Sequence, residues 1–193
     1  MKIVFKSGEF SAFKKQNLNE SRQAVYESYN YYNERRKTIF ISHKHDDLDD
    51  LEDLIGFLEK TYDVKCYIDS RDPLMPDITN SETATKIKCR IKQCDKFILL
   101  ATNKAIASNW CNWELGFGDA QKFNNSNIAL FPIASDEESF KGYEYMFIYP
   151  HIVKCNGDEK YDTGRNIEAG YYVRTIVKKG KIVITPLKTW LEQ

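Results

Sequence analysis

From residue 37 onwards, short apolar runs alternate with longer segments in which apolar residues recur every three or four positions. Four of the runs have the length and β-branched content of strands, and they cover residues 38–41, 64–68, 97–101 and 128–133. The run at 97–101 is apolar throughout, which is typical of a strand that is covered on both faces. Regular strand–helix alternation with short connections predicts an α/β fold in which helices flank a parallel sheet.

The segments between these runs predict three helices. Asp46 or Asp47 is the expected N-cap of the first helix. Its buried face is predicted from apolar residues at helical spacing, which are Leu48, Leu51, Leu54, Ile55, Leu58 and Tyr62. Thr79 and Glu82 have the spacing of a capping box, which predicts that the second helix begins there. The third helix is expected from about residue 104 to residue 123.

Outside this alternation, the pattern predicts a fifth strand over residues 145–153 and a β-hairpin formed by residues 170–177 and 181–185. Pro186 is expected to open a short last helix. A further helix is expected after Asn17, in a segment that precedes the first strand. The predicted organisation has three parts: an N-terminal helical extension (1–36), a core domain (37–155), and a C-terminal hairpin with a short helix packed on the core (156–193).

Charge and composition exclude several classes of function. Lys plus Arg balance Asp plus Glu, 28 against 28, so the chain lacks the basic excess of a nucleic-acid-binding protein. No apolar stretch approaches the roughly 20 residues that span a bilayer, and the N-terminus lacks the apolar region of a signal peptide. The five cysteines are scattered, without a CxxC pair, as in reduced intracellular proteins. We therefore expect a cytoplasmic protein that binds neither nucleic acid nor membrane.

The segment FISHKHDDL (40–48) begins like a dinuclear metal site, because an apolar strand ends in His-x-His-x-Asp. That pattern requires a histidine directly after the aspartates, where this chain has Leu48. It also requires further histidines downstream, and only His151 follows. Three histidines are too few for two zinc sites, so no metal site is predicted.

The segment SNWCNWELGFG (108–118) contains the strongest candidate chemistry. Its two glycines do not complete a dinucleotide-binding fingerprint, since position 121 is Gln and no strand leads directly into the segment. Trp110 and Glu114 are four residues apart and therefore share one face of the predicted helix. A flat apolar ring beside a carboxylate is suited to holding a ribose or a planar heterocycle.

Three segments together resemble a TIR domain: FISHKHDD at the end of the first strand, VKCYIDSRDP after the second, and SNWCNWELGFG in the third helix. The resemblance covers about residues 37–155 and is closest to stand-alone bacterial TIR proteins of the anti-phage, Thoeris-type kind. It implies a flavodoxin-like fold with five parallel strands and cleavage of the nicotinamide–ribose bond of NAD+. Glu114 matches the catalytic carboxylate of the family, and Trp110 the tryptophan before it.

Other residues receive roles only through this resemblance. Ser42 and His43 follow the first strand, where the family lines its nucleotide pocket, and Lys44 stands in for a basic residue of that loop. Many TIR enzymes carry an aromatic residue where this chain has His43. Asp69 matches the aspartate that ends the second strand. The segment SRDPLMPDI, which includes Arg71, corresponds to the mobile loop that gates substrate and mediates assembly.

The resemblance implies an NAD glycohydrolase or cyclase with NAD+ as substrate and no cofactor. Water attack would give ADP-ribose, and attack by the adenine or a ribose hydroxyl of the substrate would give a cyclic signal. Self-association through TIR–TIR contacts and a downstream nucleotide-sensing effector are the implied partners. Two alternatives are a non-enzymatic TIR adaptor that acts by assembly and a nucleoside deoxyribosyltransferase-like enzyme, which also uses a glutamate at a ribosyl centre.

Overall fold

A mixed sheet of eight strands forms the centre of the protein. The computed structural model describes residues 1–14, 36–72, 80–135, 139–142, 144–177 and 180–193. The strands are β1 (Phe5–Lys6), β2 (Thr38–Ser42), β3 (Lys65–Tyr67), β4 (Lys96–Ala101), β5 (Ile128–Ala134), β6 (His151–Cys155), β7 (Gly170–Ile176) and β8 (Ile182–Pro186). Five of them, in the order β3-β2-β4-β5-β6, are parallel, which confirms the predicted flavodoxin-like sheet.

Helices cover both faces of the sheet, as the alternation predicts. They are α1 (Leu48–Tyr62), α2 (Ser81–Gln93), α3 (Asn103–Ile106), α4 (Asn109–Lys122) and α5 (Leu187–Glu192). The apolar run of β4 divides between two cores, because successive side chains of a strand point to opposite faces. Ile98 and Leu100 pack in the core with α1 and α5, whereas Phe97, Leu99 and Ala101 pack in the core with α2 and α4.

The C-terminal prediction of a hairpin followed by a short helix is confirmed. β7 pairs antiparallel with both β6 and β8, so the hairpin extends the parallel sheet at one edge. Helix α5 returns to the core through Leu187, Trp190 and Leu191, all buried, and the Trp190 indole N–H donates to the Ser126 carbonyl at 2.6 Å. The domain boundaries stay a prediction, although the segment after residue 155 completes the same sheet.

The N-terminal residues form a strand that the sequence pattern did not predict. β1 pairs parallel with the C-terminal end of β5, with Phe5 opposite Ile133. Phe5 and Phe10 are both buried in the core that includes α1. The predicted helix after Asn17 lies outside the described residues. At least the first part of the predicted extension therefore belongs to the folded core.

A glycine in α1 allows this N-terminal segment to approach closely. A Cβ atom on Gly56 would lie 2.0 Å from the Phe13 carbonyl oxygen, and backbone atoms cannot rotate aside as a side chain can. We expect Gly56→Ala to lower the free energy of unfolding by about 1–3 kcal/mol, although alanine normally stabilises a helix interior. Gly116→Ala in α4 is the matched control, because a Cβ atom added there would meet nothing within 4 Å. Urea unfolding of both variants measures the difference, and a stabilised Gly56→Ala would contradict the close approach.

Four details of the predicted elements are wrong. Residues 144–148 form a 3₁₀ helix, and the fifth parallel strand begins only at His151. The third predicted helix is two helices, because the Ser108 hydroxyl accepts a hydrogen bond from the Cys111 N–H and caps a new start. The capping box of α2 joins Asn80 and Thr83 rather than Thr79 and Glu82. Leu48 is 48% exposed, so the buried face of α1 begins at Leu51.

Candidate active site

Five of the predicted site residues meet at the carboxyl edge of the parallel sheet, and they are Ser42, His43, Asp69, Trp110 and Glu114. β2 ends at Ser42, and it has β3 on one side and β4 on the other. Chain order therefore reverses next to β2, and sheets of this type bind ligands in the crevice at such a point. His43 and Lys44 follow β2 directly, and Asp69 begins a 3₁₀ turn just after β3. Helix α4 approaches this edge with its N-terminal half.

Glu114 is a buried carboxylate on α4, only 2% exposed. The Ser42 hydroxyl donates a hydrogen bond to Glu114 Oε2 at 2.5 Å and so joins the end of β2 to the helix. Burial raises the pKa of Glu114 to about 8, and the nearby Asp69 charge adds to the rise. Hydrogen bonds from Ser42 and Trp110 act against this rise. Such a carboxyl group is held at high free energy when ionised, which is typical of a functional site.

Trp110 lies beside Glu114, as the four-residue spacing predicts, and its side chain lowers the pKa of the Glu114 carboxyl group against the effect of burial. Its ring stacks on Trp113, with centroids 5.0 Å apart and an interplanar angle of 29°. The Trp110 side chain is partly exposed, whereas the carboxylate beside it is buried. A partly exposed, stacked indole next to a buried carboxylate can hold a flat or apolar portion of a ligand against the charged group.

His43 and Asp69 also come together at this edge. The His43 side chain is 1% exposed, and its Nδ1 lies 4.0 Å from Asp69 Oδ1. The same nitrogen lies 3.3 Å from the carbonyl oxygen of Ile41. Burial lowers the pKa of His43, against the opposing effect of Asp69, so the ring is neutral at pH 7. Lys44 is partly buried in the same loop but takes no part in this network among the described residues.

The backbone of Arg71 lies in the 3₁₀ turn Asp69–Arg71, and the role expected of its side chain stays a prediction. Residues 73–79, most of the predicted mobile loop, lie outside the described residues. Asp72, at the base of this loop, is buried and accepts hydrogen bonds from the Tyr67 hydroxyl at 2.7 Å and from Arg90 Nε at 2.9 Å. This anchor was missed, because nothing in the sequence links Asp72 to residues on β3 and α2.

For two further residues at this edge, the sequence predicted a different role, as for Asp47, or no role, as for Cys111. Asp47 precedes α1 but makes no side-chain cap, and its carboxylate instead accepts a hydrogen bond from the Thr102 hydroxyl after β4. Cys111 is buried, and its thiol donates to the His43 carbonyl at 3.3 Å. Because Cys111 stands three residues before Glu114, helical spacing alone places the two on neighbouring positions of α4. That spacing is the signal that would have found it.

No three His, Cys, Asp or Glu side chains in the described ranges come together in a way that would hold a metal ion. None of the helices described here is long and apolar enough to cross a membrane.

Comparison with known proteins defines the class that this fold and site represent. The profile of the TIR domain matches residues 39–159, well over half of the chain. The chain therefore belongs to the TIR domain family, as the three sequence segments indicated. The match spans β2 to β6 and includes Ser42, Asp69, Trp110 and Glu114.

Among characterised proteins, the chain is similar to the probable 3′ cyclic ADP-D-ribose synthase ThsB′ of Bacillus cereus (strain MSX-D12). The two are 28% identical over 130 residues, which is 65% of this chain and 65% of the relative. The chain thus matches just under two thirds of that relative's length. Among solved structures, a prokaryotic SEFIR domain aligns with 57% of this chain and 76% of its own, with 15% identity and a TM-score of 0.39.

Proposed function

We propose that the protein cleaves the nicotinamide–ribose bond of NAD+, with Glu114 as the catalytic carboxylate. The observation that carries the proposal is the buried Glu114 side chain, hydrogen bonded to Ser42 at the carboxyl edge of a TIR domain sheet. The similarity to a protein named as a probable cyclic ADP-ribose synthase supports the same substrate class.

The chemistry of NAD+ explains why a single carboxylate is sufficient for bond cleavage. Nicotinamide leaves as a neutral molecule from a cationic linkage, so no general acid has to protonate it. Positive charge then develops on the ribose, as in the oxocarbenium-like transition states of glycosidases. A carboxylate fixed beside the ribose stabilises that charge without reorganising during the reaction. The Ser42 hydroxyl holds the Glu114 carboxyl group in place for this purpose.

The nucleophile that completes the reaction decides the product. Water gives ADP-ribose, whereas attack by the substrate's own adenine or ribose hydroxyl gives a cyclic ADP-ribose. The name of the Bacillus cereus relative indicates a cyclic product for that protein. A role in bacterial anti-phage defence, assembly through TIR–TIR contacts and a downstream nucleotide-sensing effector complete the proposal.

The full-length protein incubated with NAD+ provides the test, with nicotinamide release as the measurement. A parallel reaction offers a deoxynucleoside and a free base. Nicotinamide release without exchange of bases supports the proposal. Base exchange with inert NAD+ would favour the deoxyribosyltransferase-like alternative. The adaptor alternative predicts that the wild-type chain assembles but leaves both substrates intact. It also predicts that the Glu114→Gln variant still signals in cells.

The ionisation of Glu114 makes the reaction pH-dependent. Only the carboxylate form stabilises positive charge, and burial places the pKa of Glu114 at about 8 in the free protein. Since kcat/KM reports ionisations of the free enzyme, we expect it to rise about tenfold per pH unit below that pKa and to level off above it. Ser42→Ala removes a hydrogen bond that lowers this pKa and should shift the rise to higher pH. A profile that is flat between pH 6 and 9 in wild type would contradict the assignment.

A further inference from the structure

The His43 ring has one anchored nitrogen and one nitrogen without a protein partner. Nδ1 lies 3.3 Å from the Ile41 carbonyl, which can only accept, so Nδ1 carries the proton of the neutral ring. Nε2 therefore presents a lone pair. This atom is buried, and no donor from the described part of the chain reaches it. A buried polar atom left in this state costs free energy, so its presence in a candidate active site calls for a functional reason.

The groups that face His43 favour a base at this position. Asp69 Oδ1 lies 4.0 Å from Nδ1, the ring nitrogen that carries the proton. Among the described residues, His45 and Asp47 in the same loop also act electrostatically on the His43 ring, and the His45 ring is 6.2 Å away. Burial keeps the ring neutral at pH 7, and Asp69 would stabilise the imidazolium that forms when Nε2 takes a proton. A base oriented by a backbone carbonyl and a carboxylate has the arrangement of an activated catalytic histidine.

His43 is also tied to the helix that carries Glu114. The Cys111 thiol, one turn before Glu114, donates to the His43 carbonyl at 3.3 Å. The preceding residue, Ser42, donates to the Glu114 carboxyl group. Asp69 acts electrostatically on both His43 and Glu114. Residues 42 and 43, at the end of β2, therefore contact the same helix turn that carries Glu114.

We propose that His43 is the general base for the hydroxyl that attacks the ribosyl carbon. The proposal rests on the proposed function and assigns the step that follows bond cleavage. The C–N bond breaks, and its electron pair leaves with neutral nicotinamide. An oxygen lone pair of water, or of a substrate hydroxyl, forms the new C–O bond, and the O–H proton passes to His43 Nε2. The imidazolium, stabilised by Asp69, then returns this proton to solvent.

A nucleophile that brings no proton distinguishes this role from a structural one. The ring nitrogen of 3-acetylpyridine attacks the same ribosyl carbon through a lone pair, so its transfer needs Glu114 but no base. In His43→Gln we expect formation of ADP-ribose, and of any product cyclised through a ribose hydroxyl, to fall by ~10²–10⁴-fold, while formation of the acetylpyridine dinucleotide changes by less than about threefold. His45→Gln, at an exposed histidine two residues away, is the matched control and should change neither rate.

The ratio of hydroxyl products to pyridine product also has a predicted pH dependence. Both reactions require ionised Glu114, so its titration cancels from the ratio. The pKa of His43 is lowered from 6.5, so the wild-type ratio should decline only below pH 6.5, where Nε2 becomes protonated. In His43→Gln the ratio should be low at all pH values.

The proposal would be overturned if the ratio of hydroxyl products to pyridine product in His43→Gln equals that of wild type, whether both rates decline equally or neither changes. Thermal unfolding checks that this buried substitution preserves the fold. If the His43→Gln variant unfolds, Asp69→Asn replaces it in the same test, because the Asp69 side chain is more exposed, at 26%. An unchanged ratio of hydroxyl products to pyridine product in Asp69→Asn would also contradict the proposal. Failure of the proposed function gives a different result, because wild type would then release no nicotinamide with either acceptor.

Discussion

Glu114→Gln is expected to reduce nicotinamide release from NAD+ by ~10²–10³-fold, the usual effect of removing one preorganised electrostatic partner of a transition state. Glutamine has nearly the same shape, and its amide oxygen can accept the Ser42 hydrogen bond that Oε2 accepts at 2.5 Å. The change therefore removes the negative charge and leaves the contact. Initial rates under saturating NAD+ measure the effect.

A glutamate on the surface provides the control for this variant. Glu82 is on α2, its side chain is 62% exposed, and among the described residues its carboxylate pairs with Lys86 along the same helix. Glu82→Gln should retain the wild-type rate. Equal nicotinamide release from wild type and Glu114→Gln would exclude Glu114 from the mechanism.

The stability of Glu114→Gln as a function of pH tests the burial of the charge independently of activity. In the folded protein the pKa of Glu114 is raised from 4.5 to about 8, so the folded state binds more protons than the unfolded state between these values. Wild type should therefore lose stability as the pH rises from about 4.5 to about 8. Glutamine does not ionise, so the variant should lack this loss and should unfold at a higher temperature than wild type at pH 9.

Phe5→Ala is expected to lower the free energy of unfolding by about 3–5 kcal/mol, the usual cost of truncating a fully buried phenylalanine. Phe5 is fully buried and stacks on Phe131 of β5, with ring centroids 4.6 Å apart and an interplanar angle of 18°. Phe10 and Tyr171 also contact this ring. Truncation would leave a cavity where β1 joins β5, too far into the core for solvent to fill without cost.

Phe147→Ala is the matched control for this substitution, since Phe147 is 64% exposed and should change stability by less than about 1 kcal/mol. Chemical denaturation of both variants measures the difference. Similar unfolding midpoints for Phe5→Ala and wild type would show that the N-terminal strand is dispensable for the fold.

The sequence was sufficient for the sheet and for the centre of the site because both depend on local patterns. Apolar runs of strand length separated by amphipathic segments indicate buried parallel strands, and four-residue spacing places Trp110 beside Glu114 whatever surrounds the helix. The three segments that resemble a TIR domain then assigned Ser42 and Asp69 to the same edge. The sheet and the Trp110–Glu114 pair needed only local periodicity, whereas Ser42 and Asp69 were assigned through the resemblance.

The predictions that were wrong or missing depend on contacts between distant parts of the chain. β1 has two residues, too few for any periodicity, and becomes a strand only because β5 offers it a free position at residues 133–134. Residues 144–148 are as apolar as a strand, but Phe147 and Ile148 remain exposed in a 3₁₀ helix. The anchor between Asp72 and Arg90 joins a loop to a helix 18 positions later, and no local signal marks it.

The most direct test of the account is the mass spectrum of nucleotides in phage-infected bacterial cells that carry either the wild-type chain or Glu114→Gln. We expect NAD+ to fall, and nicotinamide and a linear or cyclic ADP-ribose to accumulate, only with the wild-type chain. Identical nucleotide profiles in the two strains, with defence retained in both, would contradict it.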